Sequence, residues 1–357
     1  MVIDNIDIYS LIPYQIIDMI EKLNNALSVV KSRKKTISKV AKFEKSITIC
    51  PHCGSFSIVK NGHTKNGIQT YKCKECSKRF NDLTNTVFSQ IHLTYEQIEI
   101  FIQCFKDKIS LRKTAKRMGV NKNTVYLLRL KIINSLKQIR NNTKLSGEIE
   151  SDEYYISINL KGTKPDDMPR FSKPRKSKGT TKRGINKHKV CIVSAIDEND
   201  NIFFEIAGTG PITSNMVTKC LTSKLKNVSK IITDCKSYYE CDSKKYKWNL
   251  IQIKSGSYAD NNGNNLANIN SLHSGLSNFL AHFKGVSTKH LQAYLDWYTF
   301  DKYLNYTIDE ITQNRTILQK VISLSTEINI NNMYKNHSGI DFDKVYSDYN
   351  YVSSRTN

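Results

Sequence analysis

The sequence of 357 residues has no run of 18 apolar residues, which excludes a membrane-spanning helix of ordinary length. It also lacks a basic segment followed by an apolar core near its start, so we expect no secretory signal peptide. Acidic residues are scarce: 32 Asp and Glu accompany 54 Lys and Arg, for a formal net charge of +22. We therefore expect a cytoplasmic protein with a polyanionic partner, because neutralising phosphates releases condensed counterions.

Four of the nine cysteines form two C-x-x-C motifs, Cys50-Pro51-His52-Cys53 and Cys73-Lys74-Glu75-Cys76, separated by 19 residues. Each motif directs two thiolates at one tetrahedral ion, and the spacing is typical of a zinc ribbon. We expect Cys50, Cys53, Cys73 and Cys76 to bind a structural Zn²⁺ ion. The other cysteines are scattered, which favours a reducing compartment over a disulfide framework.

The segment after the cysteines predicts two short helices joined at Gly119, with Ser110 as the N-cap of the first and Asn121 as the N-cap of the second. Val125 and Leu128 face inward. In a helix-turn-helix, the N-terminal residues of the second helix contact base edges in the major groove. An ordinary helical hairpin with a charged, solvated face is the alternative. The candidate DNA contacts are Arg112, Lys113, Lys122, Asn123, Thr124, Tyr126 and Arg129.

The rest of the chain predicts an α/β domain whose sheet mixes an antiparallel meander with parallel strands. The predicted strands are residues 148–156, 187–196, 202–206, 228–234 and 249–253, with a helix over 214–226 and another over 269–283. Residues 161–189, between the first two strands, contain eleven Lys or Arg and two acids. A segment with so much positive charge cannot form a buried core. We expect it to lie along DNA, with Lys182 and Arg183 as candidate DNA contacts.

Two carboxylates stand out on these strands: Asp152 in the middle of the first and Asp234 at the end of the fourth. Paired carboxylates on neighbouring strands repel, and a divalent cation relieves that repulsion in the geometry that phosphoryl transfer requires. His273 lies opposite the apolar stripe of its predicted helix and is the candidate third ligand, with Lys284 or Lys289 near phosphate. The alternatives are a solvated strand residue, a strand-end cap and a surface histidine.

Together these motifs resemble the bacterial insertion-sequence transposases that pair a zinc ribbon and a helix-turn-helix with a DDE-type catalytic domain. The matching segments are the two cysteine motifs, Asp152-Glu153, Lys182-Arg183-Gly184, Lys189-Val190-Cys191, Ile232-Thr233-Asp234, Ser237-Tyr238, Ile269-Asn270-Ser271-Leu272-His273-Ser274 and the string from Lys284 to Leu295.

The resemblance implies an RNase H-like fold and Mg²⁺ or Mn²⁺ bound by Asp152, Asp234 and His273. Many relatives have Glu at the third position, and a neutral imidazole there removes a negative charge and favours Mn²⁺ over Mg²⁺. Ser277 stands where a lysine is often found about one turn later, a role that Lys284 could take.

The expected fold class is α/β, an RNase H-like catalytic domain preceded by a zinc ribbon and an all-α helix-turn-helix domain. The expected function is DNA transposition: binding of double-stranded terminal repeats, metal-dependent cleavage and strand transfer, by a homo-oligomer near the nucleoid. The alternatives are a catalytically decayed DNA-binding regulator and a structure-selective nuclease. The expected divisions are an N-terminal helical segment (1–45), zinc ribbon (46–85), helix-turn-helix (90–140), catalytic domain (146–305) and C-terminal tail (306–357).

Overall fold

The computed structural model describes most of the chain between residues 47 and 342. The predicted N-terminal helical segment, Lys182 and Arg183 of the basic insertion, and much of the C-terminal tail lie outside the described residues. The described residues are 47–89, 91–160, 185, 187–234, 239–240, 244, 248–254, 257, 259–304, 310–324 and 338–342.

The first structural unit is a small antiparallel sheet of three strands in the order β1 (Ile58–His63), β2 (Gln69–Cys73) and β3 (Arg79–Asn81). Its interior is small: the buried side chains are those of Cys50, Cys73 and Phe80, with Ile47, Ile58, Tyr71 and Cys76 packed against them and Tyr71 stacked on Phe80. Burial in so small a core contributes little stability.

Four helices follow: α1 (Tyr95–Lys106), α2 (Leu111–Met118), α3 (Lys122–Ser135) and α4 (Lys137–Asn142). The start of α1 is capped by its own sequence, because the Thr94 hydroxyl accepts from the Gln97 amide while the Gln97 side chain accepts from the Thr94 amide. This reciprocal pair satisfies two backbone donors at the helix start.

The turn between α2 and α3 also follows the prediction, since Gly119 adopts a left-handed conformation with φ of 65°. The Asn121 side chain caps α3 by accepting from the Asn123 amide. Ser110 is the N-cap residue of α2, as predicted, although its side chain makes no capping hydrogen bond. Its carbonyl accepts from Thr114 instead.

A five-stranded sheet occupies the second half of the chain in the order β6-β5-β4-β7-β8. Strands β4 to β6 form an antiparallel meander, whereas β7 and β8 run parallel to β4. This confirms the predicted mixture of strand directions within a mixed α/β fold. The strands are β4 (Leu145–Ser157), β5 (Lys189–Asp197), β6 (Ile202–Thr209), β7 (Leu225–Asp234) and β8 (Leu250–Ile253).

Helices cover both faces of this sheet. On one face α5 (Ser214–Leu221) packs with Val193, Phe203 and Ile231, and on the other lie α6 (Ala267–Ala281) and α7 (Leu291–Lys302). A further helix, α8 (Glu310–Ser323), contacts α1. Among the described residues, no helix is both long and apolar enough to cross a bilayer.

Two helix boundaries differ from the sequence prediction. The predicted helix over 214–226 ends at Leu221, and after one short 3-10 turn the chain enters β7 at Leu225. The helix predicted over 269–283 ends at Ala281, so Lys284 lies beyond it with a φ of 53°. Lys284 therefore does not share a helical face with His273.

A single apolar core joins the helices of the first half to the α6/α7 face of the sheet. Phe105 of α1 stacks on Trp297 of α7 with ring centroids 4.2 Å apart. Beside this core, Arg140 of α4 donates to Asp296 of α7 at 2.9 Å and to Glu205 of β6 at 2.8 Å. The helical region and the sheet are thus tied by both apolar packing and buried ion pairs.

Candidate catalytic site and metal centres

The four predicted zinc ligands converge in the structure. The sulfur atoms of Cys50, Cys53, Cys73 and Cys76 all lie within 4.8 Å of one another. Cys50 Sγ is 3.7 Å from Cys76 Sγ, and Cys53 Sγ is 3.6 Å from Cys73 Sγ. Four thiolates at 2.3 Å from a tetrahedral Zn²⁺ ion are about 3.8 Å apart. The donor set and its spacing therefore fit zinc.

The backbone around the cysteines favours thiolates. The His52 amide donates to Cys50 Sγ at 3.5 Å, as expected in a tight C-x-x-C turn. The Cys76 backbone amide is the main cause that lowers the pKa of Cys73 to about 7, with further help from the Cys53 thiol. Because a metal binds the deprotonated sulfur, such amides assist the predicted site.

The two predicted catalytic carboxylates lie on β4 and β7, adjacent parallel strands in the interior of the sheet. In the β4–β7 register Glu150 is opposite Ile232, and continuing it by two residues places Asp152 beside Asp234. Side chains paired across strands point to the same face, so both carboxylates lie on the side covered by α6. Both side chains are partly exposed, as a site open to a substrate requires.

The structure adds a third carboxylate, that of Glu153, to the cluster. In the sequence analysis Glu153 was only the residue next to Asp152. Carboxylate oxygens of Asp152, Glu153 and Asp234 lie within 4.8 Å of one another. Glu153 is buried and accepts a hydrogen bond of 3.0 Å from the Tyr239 hydroxyl. The signal was present as the Asp-Glu pair on β4, but alternation along a strand predicts opposite faces for consecutive residues. We count Glu153 among the residues able to hold a cation.

His273 reaches the site because α6 is anchored at its start and near its middle. At its start, the Glu150 carboxylate accepts from the Ile269 amide at 2.9 Å and from the Asn268 side chain at 2.7 Å. Towards its middle, the Tyr298 hydroxyl donates to the Leu272 carbonyl at 3.0 Å. These contacts fix the position of the turn of α6 that carries His273.

The His273 ring itself lies between three polar or aromatic groups. Nδ1 is 3.8 Å from Asp152 Oδ2, and Nε2 is 2.6 Å from Ser194 Oγ. The Tyr154 ring is 5.2 Å away, and its hydroxyl is 2.7 Å from Ser277 Oγ on the next turn of α6. The structure thus brings His273 next to Asp152, and it reveals Ser194, which sequence reasoning missed because a serine in an apolar strand carries no motif.

Residues 144–301 match the family model described as the ISXO2-like transposase domain. These residues, called the transposase domain below after the model that they match, are therefore similar to an insertion-sequence transposase domain. The matched segment includes Asp152, Glu153, Asp234 and His273, so the whole carboxylate cluster and its histidine lie within it.

The chain is also similar to an uncharacterized protein in transposable element ISH50 of Halobacterium salinarum. The two are 29% identical over 136 residues, which make up 38% of this chain and 43% of that protein. The chain therefore spans less than half the length of this curated relative.

Among solved structures, the chain is similar to the Mos1 strand transfer complex at 13% identity and a TM-score of 0.24, over 64% of this chain and 75% of that one. It is similar to the Mos1 paired-end complex with left transposon end at 12% identity and a TM-score of 0.25, over the same shares. Scores this low support no inference about fold or function.

Ahead of the transposase domain, the candidate DNA contacts on α2 and α3 form a basic surface. Arg112, Lys113, Lys122 and Asn123 are exposed, and Thr124 and Tyr126 are partly exposed.

The prediction that Arg129 lies on the exposed face is wrong. Its side chain is buried, donates to the Ile109 carbonyl at 2.6 Å and lies over the Trp297 ring at 5.6 Å. Helical spacing predicted an exposed position for Arg129, but α3 is covered on two sides, by α2 and by α7.

The two lysines predicted to lie near phosphate are outside α6. Lys284 is exposed, and Lys289 is partly exposed in the short 3-10 turn before α7. Both positions fall in the transposase domain and leave the amines accessible to solvent.

Proposed function

We propose that this protein is a DNA transposase that binds the ends of its own insertion sequence, cleaves them and joins them to target DNA. The observation that carries the proposal is the cluster of Asp152, Glu153 and Asp234 inside the matched transposase domain, with His273 beside it. The basic surface of α2 and α3 supports DNA as the partner, since clustered cations supply most of the affinity for phosphates.

We propose that the transposase domain has an RNase H-like fold. The sheet supports this: a three-stranded antiparallel meander extended by two parallel strands is the RNase H-like order, with the carboxylates at its centre. We further propose a zinc ribbon over residues 46–85, a helix-turn-helix over 90–140 and a catalytic domain over 146–305. The four-cysteine cluster and the turn at Gly119 support the first two.

In the proposed reaction, Asp152 and Asp234 hold the cations and His273 offers a neutral nitrogen at the third position. Bound Mg²⁺ or Mn²⁺ supplies charge stabilisation at the phosphate and activation of the attacking oxygen. Exposed cations such as Lys289 neutralise phosphates nearby. We propose no covalent intermediate on the protein. Since both element ends must be processed together, we propose a homo-oligomeric complex acting at the nucleoid.

The test is Mn²⁺-dependent joining of the element's flanking end DNA to a plasmid, with Asp152→Asn and Asp234→Asn as variants. Loss of a metal ligand should lower the yield of joined product at least about 100-fold. The matched control is Asp260→Asn, a partly exposed aspartate whose hydrogen bonds close its own loop. Tight end binding without cleavage would favour a DNA-binding regulator. Cleavage of branched DNA without preference for the ends would favour a structure-selective nuclease.

A further inference from the structure

Ser194 lies between the two residues that the proposed metal site depends on. It is on β5 directly opposite Asp152 of β4, and its side chain is fully buried. Its Oγ atom is 2.6 Å from the Asp152 carbonyl oxygen and 2.6 Å from His273 Nε2. Two such short contacts at one hydroxyl determine where the hydrogen atoms lie.

The Asp152 carbonyl can only accept a hydrogen bond, so the single hydroxyl hydrogen of Ser194 is donated to it. The Ser194 oxygen then offers only lone pairs to the imidazole. Nε2 of His273 must therefore carry a hydrogen and donate it to Ser194. In a neutral imidazole the other nitrogen, Nδ1, then carries a lone pair.

That lone pair lies at the carboxylate cluster, since Nδ1 is 3.8 Å from Asp152 Oδ2. Two acceptors facing each other at this distance repel unless a cation lies between them. Ligand atoms bound at about 2.1 Å to one divalent ion are roughly 3 to 4 Å apart, so the observed spacing suits a shared ion.

We propose that Ser194 is a positioning residue that fixes the Nε2–H form of His273 and directs Nδ1 at the divalent cation. The inference rests on the proposed function because it concerns the same metal site. Metal-binding histidines generally donate their second ring N–H to a fixed acceptor, and losing that acceptor weakens metal binding 10- to 100-fold. Here the acceptor is a hydroxyl whose own direction is set by the Asp152 backbone.

The packing around the ring supports this role. Glu150 holds the start of α6, and the Tyr154 ring lies 5.2 Å from the His273 ring. The ring therefore has little room to turn away, and removal of the Ser194 hydroxyl leaves the Nε2–H group buried without its acceptor. The expected result is a ring that populates both neutral forms, of which one directs a hydrogen atom at the cation.

The experiment uses the full chain labelled with ¹⁵N-histidine, with the His273 signals identified by their loss in His273→Gln. Long-range ¹H–¹⁵N spectra with diamagnetic Mg²⁺ should show wild-type His273 protonated at Nε2 alone, and Ser194→Ala should show both forms. Mn²⁺ titration followed by electron paramagnetic resonance should show a 10- to 100-fold higher Kd in Ser194→Ala. Ser194→Thr, which keeps the hydroxyl, should stay within about threefold of wild type.

Ser135→Ala is the matched control, because Ser135 is also a buried serine but lies on α3, where it donates to the Ile132 carbonyl. It should leave Mn²⁺ affinity unchanged. Wild-type Mn²⁺ affinity in a folded Ser194→Ala protein would overturn the inference, as would protonation of wild-type His273 at Nδ1. Strand transfer is measured separately, so a protein that shows the Ser194 effect but joins no DNA would contradict only the proposed function.

Discussion

Arg129 shows how burial changes the role of a single residue. By helical spacing it belongs with the exposed cations of α3, yet it is buried under α7 with its guanidinium over the Trp297 ring. Burial lowers its pKa from the usual value, an effect that the nearby Tyr294 partly offsets. Its hydrogen bond to the Ile109 carbonyl links α3 to the chain before α2. Arg129 therefore stabilises the helical region and does not contact DNA.

This placement gives a prediction at the residue scale. Arg129→Ala should lower the free energy of unfolding by about 2–4 kcal/mol, because it leaves a cavity and the Ile109 carbonyl without its donor. Lys122→Ala should leave stability unchanged and weaken DNA binding, since Lys122 is exposed at the start of α3. Denaturant unfolding and DNA titration of both variants separate the two effects. If Arg129→Ala is as stable as wild type but binds DNA weakly, the result would contradict this placement and indicate that Arg129 contacts DNA.

Much of the candidate site could be predicted from single residues, but not its supporting contacts. Asp152 and Asp234 stand out because carboxylates in apolar strands are costly without a cation. Glu153 and Ser194 were missed for different physical reasons. Strand alternation directs Glu153 away from Asp152, and only the three-dimensional fold shows that their oxygen atoms come within 4.8 Å of each other. Ser194 depends on the β4–β5 register, which pairs residues 42 positions apart.

At the scale of elements, we expect the small three-stranded sheet to depend on the proposed zinc ion for its stability. Its buried cluster contains Cys50, Cys73 and Phe80 alone, so removing a thiolate removes a large share of what holds the three strands together. Structural zinc sites supply folding free energy directly, because the unfolded chain has no preformed site.

Cys73→Ser should therefore abolish the bound zinc, measured as one equivalent per wild-type chain by atomic emission, and unfold the ribbon. DNA-end affinity should fall, whereas Mn²⁺ binding at the transposase domain should persist because it uses other residues. Cys104→Ala serves as the control, since Cys104 is a buried thiol of α1 outside the cluster. Retention of one zinc by Cys73→Ser would contradict the four-cysteine site.

The sequence predicted the ends of helices less accurately than the helices themselves. The apolar pattern over 214–226 continues smoothly, but the chain leaves the helix after Leu221 so that Leu225 can pair with Leu145 at the start of β4. Strand pairing outcompetes helical periodicity here because it depends on a partner far away in the sequence. The capped helix starts at Ser110 and Asn121 were predicted correctly, since their signals are local.

At the scale of the whole molecule, Asp296 is a buried acid whose ionisation opposes folding. Burial raises its pKa from 3.8 to about 6, although Arg140 favours the charged form. Its hydrogen-bonding neighbour is Gln292, and Glu205 is the nearby like charge. Because the folded-state pKa is raised, the cost of ionisation is present above about pH 6 and disappears as the pH falls towards 3.8.

The corresponding prediction compares wild type with Asp296→Asn by denaturant unfolding from pH 4 to pH 7. The stability of wild type relative to the variant should fall by up to about 3 kcal/mol over this range, since one pKa unit corresponds to about 1.4 kcal/mol. Because both proteins share all other titrating groups, the contributions of those groups to the pH dependence of stability cancel in the difference. A difference that is constant with pH would mean that Asp296 stays ionised throughout.

The net charge of +22 gives a second prediction at this scale. The logarithm of the DNA-binding constant should fall steeply and linearly with the logarithm of salt concentration. Lys113→Ala and Lys122→Ala, which remove exposed cations of α2 and α3, should each reduce the slope by about 1. Lys320→Ala, an exposed lysine of α8, should leave the slope unchanged. If all three variants have the slope of wild type, the phosphate contacts do not involve Lys113 or Lys122.

The shared core between the helical region and the sheet has a consequence for the proposed cleavage of DNA. Because Phe105 stacks on Trp297 and Arg140 pairs with both Asp296 and Glu205, α3 is held at a fixed distance from Asp152. If α3 binds the element end and Asp152 lies at the cleavage site, as we propose, this packing sets the number of base pairs between the bound sequence and the scissile bond. One base pair inserted between them should then shift the position of the cut by one base pair relative to the element end.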